Sequence, residues 1–210
     1  MDDTEPGRRW VGYRPEIRVI DCTIRDGGLM NDHHFADGTV RAVFEACRDG
    51  GIDYMEIGYK GDPSVLSPDT YGPWKFCSED DIKRIVGDDK GDLKLSVMAD
   101  VGRTDYKRDI PACADSPVDL IRVACYIHQI PAALDILKHA QDMGYETSIN
   151  LMAVSTVNDF ELDSGLELIG TSGAGAVYVV DSFGTLYSEQ VRYLVGKYQH
   201  FAGAGMEVGM

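Results

Sequence analysis

Short apolar runs alternate along this chain with segments whose apolar residues recur at helical spacing. The runs predict strands at Ile17–Ile24, Asp53–Tyr59, Leu93–Asp100, Leu120–Tyr126, Thr147–Val154, Ala176–Ser182 and Met206–Met210. The intervening segments predict helices. Asp37–Arg48 places Val40, Val43, Phe44 and Cys47 on one stripe, starts on an aspartate suited to cap it and stops at Gly50-Gly51. Ser78–Val86 opens Ser-Glu-Asp-Asp, Pro131 stands at the first turn of a helix running to Gly144, and Phe160–Ile169 and Ser188–Phe201 follow, with a weaker signal at Arg103–Ala114. Strand and helix in regular alternation with short connections mean parallel strands joined by right-handed crossovers. The runs read as apolar on both faces, as strands covered by helices on each side require. An open doubly wound sheet and a (β/α)8 barrel both satisfy this pattern.

At 210 residues, 44% hydrophobic and 26% charged, the chain is long enough for one well-buried globular domain. No apolar run approaches the roughly 18–20 residues of a membrane span. Arg8-Arg9 lacks a following apolar stretch, so residues 1–16 read as a polar lead-in to a domain at 17–210. A net charge of −15 disfavours nucleic-acid backbones and anionic membranes as partners. Five scattered cysteines without C-x-x-C spacing argue against a disulfide framework or a zinc cluster and for a cytoplasmic setting. The glycine-rich stretch 170–175 runs from a helix into a strand, the reverse of a phosphate-binding loop, and reads as a helix stop and tight turn.

The informative residues are the polar ones inside or just past the apolar runs. Asp21, Thr23 and Arg25 share a face if strand one alternates. Glu56 stands in strand two, Asp100 ends strand three, and Arg122 and Tyr126 share a face of strand four. Asn150 and Met152 pair on strand five, and Asp181 and Ser182 end strand six. Burying a lone charge costs several kcal/mol, so three carboxylates (Asp21, Glu56, Asp181) are expected to face two guanidiniums (Arg25, Arg122) in one enclosed space. A closed barrel supplies that space, and barrel enzymes act at the carboxyl ends of their strands. For Arg122, in mid-strand, a substrate contact and a purely structural ion network both remain open.

The segment Asp21-Cys22-Thr23-Ile24-Arg25-Asp26-Gly27 resembles the signature of the DRE-TIM metallolyases, TIM-barrel enzymes that make or break carbon–carbon bonds beside a carbonyl. Leu120–Ala124 resembles the fourth strand of their 4-hydroxy-2-oxovalerate aldolase-like branch, and Gly173–Ser182 with Phe183–Leu186 its sixth strand and loop. The resemblance implies a TIM-type barrel and a lyase cleaving a 4-hydroxy-2-oxo acid to pyruvate, or a similar 2-oxo acid, and an aldehyde. It implies Mn²⁺ or Mg²⁺ on Asp26, enolate stabilisation by Arg25, and substrate contacts from Ser182, Arg122 and Asn150. Asp21, Thr23, Glu56 and Asp181 are implied as supporting residues. An acyl-CoA-dependent Claisen-type synthase of the same superfamily is the alternative, and a non-catalytic barrel fragment a third.

Two departures from the family pattern matter. Leu29 occupies the place of the aldolase acid/base histidine; His33 and His34 in the same loop, and His128 just past strand four, are the candidates to substitute for it, against the expectation that histidines of a polar loop are solvated, while His139 and His200 read as helix-surface residues. The family's His-x-His metal ligands would fall directly after Met210. The expectation is therefore a barrel that stops near strand seven with an incomplete metal site, inactive as it stands and able to self-associate through open strand edges.

Overall fold

The computed structural model describes residues 14–87, 89–203 and 205–210; most of the polar lead-in therefore lies outside the described residues. Elements follow in the order β1 (Ile20–Asp21), α1 (Thr23–Gly27), α2 (Asp37–Asp49), β2 (Tyr54–Tyr59), α3 (Glu79–Val86), β3 (Lys94–Asp100), α4 (Tyr106–Asp109) and β4 (Leu120–Cys125). Then come α5 (Ile130–Asp142), β5 (Glu146–Leu151), α6 (Asp159–Gly170), β6 (Ala176–Val179), α7 (Ser188–Phe201) and β7 (Glu207–Gly209). All seven strands are parallel and pair in sequence order, which excludes the doubly wound alternative, whose order reverses. The sheet curls until its two ends meet side chain to side chain: Arg18, just before β1, pairs with Glu207 on β7 at 2.5 Å. The architecture is α/β, a curled part of a TIM-type barrel.

The two faces of the sheet are chemically distinct. Met55, Ile57, Leu95, Val97, Ile121, Val123, Ile149, Leu151 and Val177 point outward and form one core with Val40, Phe44, Ile82, Ile85, Ile136, Leu166 and Tyr198 of the surrounding helices. The concave face carries Glu56, Ser96, Arg122, Ser148 and Asn150, all buried, and only a small apolar cluster of Tyr59, Met98 and Ala124 with Met152. The expectation of apolar strands on both faces thus holds only outside. The inner face encloses a polar lumen, where most barrels pack branched aliphatics.

Local chemistry sets the element ends. Ser78 caps α3 by accepting the Asp81 amide, and Asn158 caps α6 by accepting that of Glu161. Asp37 does not cap α2, whose N-cap is Ala36; its carboxylate is held by Arg84 instead. The weak 103–114 signal gives only α4 and a 3-10 turn. The largest departure is strand one. It ends at Asp21 because the Asp21 carboxylate accepts the Thr23 amide (3.0 Å) and hydroxyl (2.8 Å), a local bond that turns the chain into α1.

Candidate functional site

That turn decides where the signature residues go. In a strand Asp21, Thr23 and Arg25 would share a face; in a helical turn residues three apart do so instead. Cys22 and Arg25 therefore both reach Glu56, while Ile24 is fully buried against the outer core. Asp21 is tied to Thr23, away from both guanidiniums, so its expected pairing with Arg25 or Arg122 does not form.

The centre of the site is Glu56, wholly buried on β2. One carboxylate oxygen accepts from Arg25 Nε at 2.5 Å and from Arg122 Nη1 at 2.7 Å, with the Cys22 thiol donating at 3.3 Å. Arg25 Nη1 also pairs with Asp26 at 2.5 Å, and the Asp26 side chain is 61% exposed at the strand exit. Burial draws the Arg25 pKa down, but Glu56 outweighs it and holds the guanidinium above its ordinary value. The same burial and the same carboxylate push the Cys22 thiol up to about 11, so it remains protonated at neutral pH. Arg122 lies with its guanidinium carbon 4.4 Å from the Tyr178 ring centre. The expected group of three carboxylates is therefore one. Asp181 turns instead to its own loop, accepting the Leu186 amide at 2.8 Å.

Asn150 is buried on the inner face of β5, and its Oδ1 has no partner among the described residues, nor do Glu56 Oε1 and Arg122 Nε. Ser182 Oγ accepts the Ala153 amide at 2.9 Å, pinning the loop after β6 to the left-handed Ala153 after β5. A concavity of about 1040 Å³ lies at the opposite end of the strands among Arg18, Tyr54, Glu146 and Glu207. There Tyr54 bridges Arg18 and Glu146 by hydrogen bonds at 3.0 and 2.6 Å. In barrels that end serves stability, so the chemistry is sought at the Glu56 end.

The sequence reading missed two residues at this end and misjudged the burial of a third. Alternation from Glu56 puts Gly58 on the inner face and Tyr59 outside, but the register shifts between Glu56 and Gly58 and returns Tyr59 to the lumen. A Cβ at Gly58 would lie 2.1 Å from the Trp74 carbonyl, so only glycine lets the segment after β2 pack this closely. That packing brings in Lys75, 5% exposed, whose Nζ lies 3.6 Å from the Tyr59 ring centre. A lysine between Trp74 and Phe76-Cys77 was the available signal.

His33 is the third, and it is not solvated: it is 1% exposed, with its ring edge-on to Tyr59 at 5.2 Å and φ +62°. Its Nδ1 would lie 2.0 Å from a Cβ at Gly28, so Gly28 makes room for the ring. His34 bonds the Thr70 carbonyl, Leu29 is 60% exposed, and His128 and His200 are exposed, while half-buried His139 bonds the Ile110 carbonyl.

Burial pushes His33 down to about 4 from an ordinary 6.5, with the nearby Lys75 charge acting in the same direction. Its folded pKa is below its unfolded one, so its stability contribution is complete above about 6.5 and disappears as pH falls through about 4. That window carries on the order of 3 kcal/mol. Urea unfolding of the parent and of His33→Asn, which tolerates positive φ, should show the parent losing ground to the variant as pH falls across this range. A pH-independent difference between them would refute the neutral buried imidazole.

No family model matches the chain. It is 29% identical over 194 residues to 4-hydroxy-2-oxovalerate aldolase 3 of Rhodococcus opacus, covering 92% of this chain and 56% of that protein. It is 27% identical over 183 residues to the 4-hydroxy-2-oxovalerate aldolase of Pelotomaculum thermopropionicum, covering 87% and 53%. The N-terminal domain of a proposed aldolase from Bacteroides vulgatus superposes with a TM-score of 0.76 at 25% identity, covering 91% of this chain and 63% of that one. The HMG-CoA lyase of Bacillus subtilis, with a TM-score of 0.65 and 16% identity over 92% of this chain and 68% of that one, has the same fold. The chain spans about half the length of the curated relatives it matches.

A divalent ion that polarises a 2-oxo acid needs hard oxygen or imidazole donors. Asp26 offers a hard, exposed oxygen of the type Mg²⁺ and Mn²⁺ prefer. Among the described residues no three His, Cys, Asp or Glu side chains converge, so the described donors do not by themselves make a metal site. No helix among them is long and apolar enough to cross a membrane.

Proposed function

We propose that this chain carries the enolate-stabilising half of an aldolase-type lyase that cleaves a 4-hydroxy-2-oxo acid to a 2-oxo acid such as pyruvate and an aldehyde. The observation that carries the reading is Arg25, held by Glu56 on one side and Asp26 on the other at the strand exits. Cleavage beside a carbonyl leaves negative charge on its oxygen. Arg25 spends Nε and Nη1 on carboxylates, while its Nη2 makes no ion pair among the described residues and can donate to that oxygen. Because Glu56 and Asp26 fix the guanidinium beforehand, no reorganisation is needed as charge develops. Arg122 holds Glu56 in place from below, and Asn150 and Ser182 are assigned to the substrate's polar groups. A divalent ion, Mn²⁺ or Mg²⁺, would take one ligand from Asp26 and polarise the 2-oxo acid.

The test combines turnover and metal binding. Release of pyruvate from 4-hydroxy-2-oxo acids, followed by a coupled assay with Mn²⁺ present, is expected from a preparation containing the whole protein. Asp26→Asn should weaken Mn²⁺ binding at least tenfold, whereas Asp21→Asn, whose carboxylate is occupied by Thr23, should leave it nearly unchanged. Equal losses in the two variants would show that the metal role is misassigned.

A further inference from the structure

Lys75 is a cation at this end whose placement the lyase reading leaves unused. It is 5% exposed, yet its ammonium makes no hydrogen bond or ion pair among the described residues. A second buried lysine, Lys60, shows the usual arrangement, bonded to the Cys77 carbonyl and the Glu79 carboxylate, each at 2.7 Å. Lys75 has only aromatic faces, Tyr59 at 3.6 Å and Tyr71 at 5.8 Å. The Lys75 stem is buried, but Nζ is not among the buried atoms without a partner, so the ammonium opens onto the lumen, where an aromatic face returns only about 0.5–2 kcal/mol. A carboxylate entering the lumen supplies the acceptor that no described protein group provides.

Its surroundings say what kind of ligand. Arg103 and Arg25 are charged neighbours that, like burial itself, draw the Lys75 pKa down, while Asp100 raises it without pairing. Arg25, Arg122, Lys75 and Arg103 place four positive charges here beside the carboxylates Glu56, Asp26, Asp32 and Asp100, a near balance in a chain whose net charge is −15. Arg25 and Lys75 both approach the Tyr59 ring, at 6.0 and 3.6 Å from its centre, which sets both cations beside one ring.

We propose that Lys75 is the docking group for a second carboxylate, so that the substrate is a 2-oxo dicarboxylic acid, or an aldol of one, rather than a 2-oxo acid with an uncharged tail. This rests on the reading of Arg25 as the 2-oxo acid site. The ammonium of Lys75 donates to the distal carboxylate, which replaces the acceptor it lacks, and no bond is made or broken.

Isothermal titration of the full chain with 2-oxoglutarate and with 2-oxovalerate, equal in carbon number and different in the distal charge, tests it. The diacid should bind roughly tenfold or more tightly, as expected for one bond between charged groups. Lys75→Gln should remove that preference while leaving 2-oxovalerate binding unchanged, Lys75→Arg should keep it, and thermal melting checks that both variants fold. Equal affinities in the parent, or a preference that survives in Lys75→Gln, would overturn the diacid proposal and leave the lyase reading standing. Failure of both acids to bind would overturn the two together.

Discussion

Replacing Glu56 with alanine should destabilise the chain by about 3–5 kcal/mol, the cost of leaving buried charge without its counter-ion. The effect is large because one carboxylate oxygen serves Arg25, Arg122 and Cys22 at once, and Arg122 is 3% exposed with no other carboxylate partner among the described residues. For a domain whose total stability is about 5–15 kcal/mol, such a loss takes a substantial share. The cause can be separated from simple loss of volume. The double variant Glu56→Ala/Arg122→Met removes both charges and should recover part of the loss, because it no longer buries an unpaired guanidinium. Urea unfolding of the parent, the single and the double variant measures this. A single variant within about 1 kcal/mol of the parent would mean that water reaches Arg122 and that the lumen is not the closed polar space described here.

Arg25→Ala should lower turnover by a factor of about 10²–10³ with the fold retained. The two halves of that statement have separate grounds. Turnover falls because Arg25 is the guanidinium held at the strand exit beside Asp26. The fold survives because Glu56 keeps Arg122, and Asp26 is already largely solvated. Pyruvate release assayed in the whole protein, alongside the melting curve of the variant, reads both. A folded variant with near-parental kcat would remove Arg25 from the chemistry. Unfolding would instead assign it to the Glu56 network alone.

These expectations depend on features of unequal legibility. The α/β alternation, the near bounds of β2, β3, β4 and α7, and the capping of α3 by Ser78 follow from apolar period and local bonding, which act over a few residues. The presence of Glu56 and Arg122 in apolar runs likewise announced a buried pair, since charge burial is costly wherever it occurs. Asp21 and Asp181 were harder. Each is adjacent to the site in sequence, but a nearby hydroxyl or amide captures each carboxylate before a distant guanidinium can. Local bonds cost less chain entropy to form, and here they won.

Sequence alone, then, determined that parallel strands alternate with helices, that their polar members gather at one end, and that the Asp21–Gly27 segment resembles the DRE-TIM signature. Tertiary structure decided the rest. The curl of the sheet, closed by Arg18 and Glu207, chose barrel over open sheet. The bulge at Gly58 chose which face Tyr59 occupies and let the Trp74–Lys75 segment settle on it. Burial chose that His33 is neutral rather than solvated. In each case the deciding contact joins residues far apart in the chain, and no local pattern of apolar and polar positions encodes which distant atoms will fill the space beside a residue.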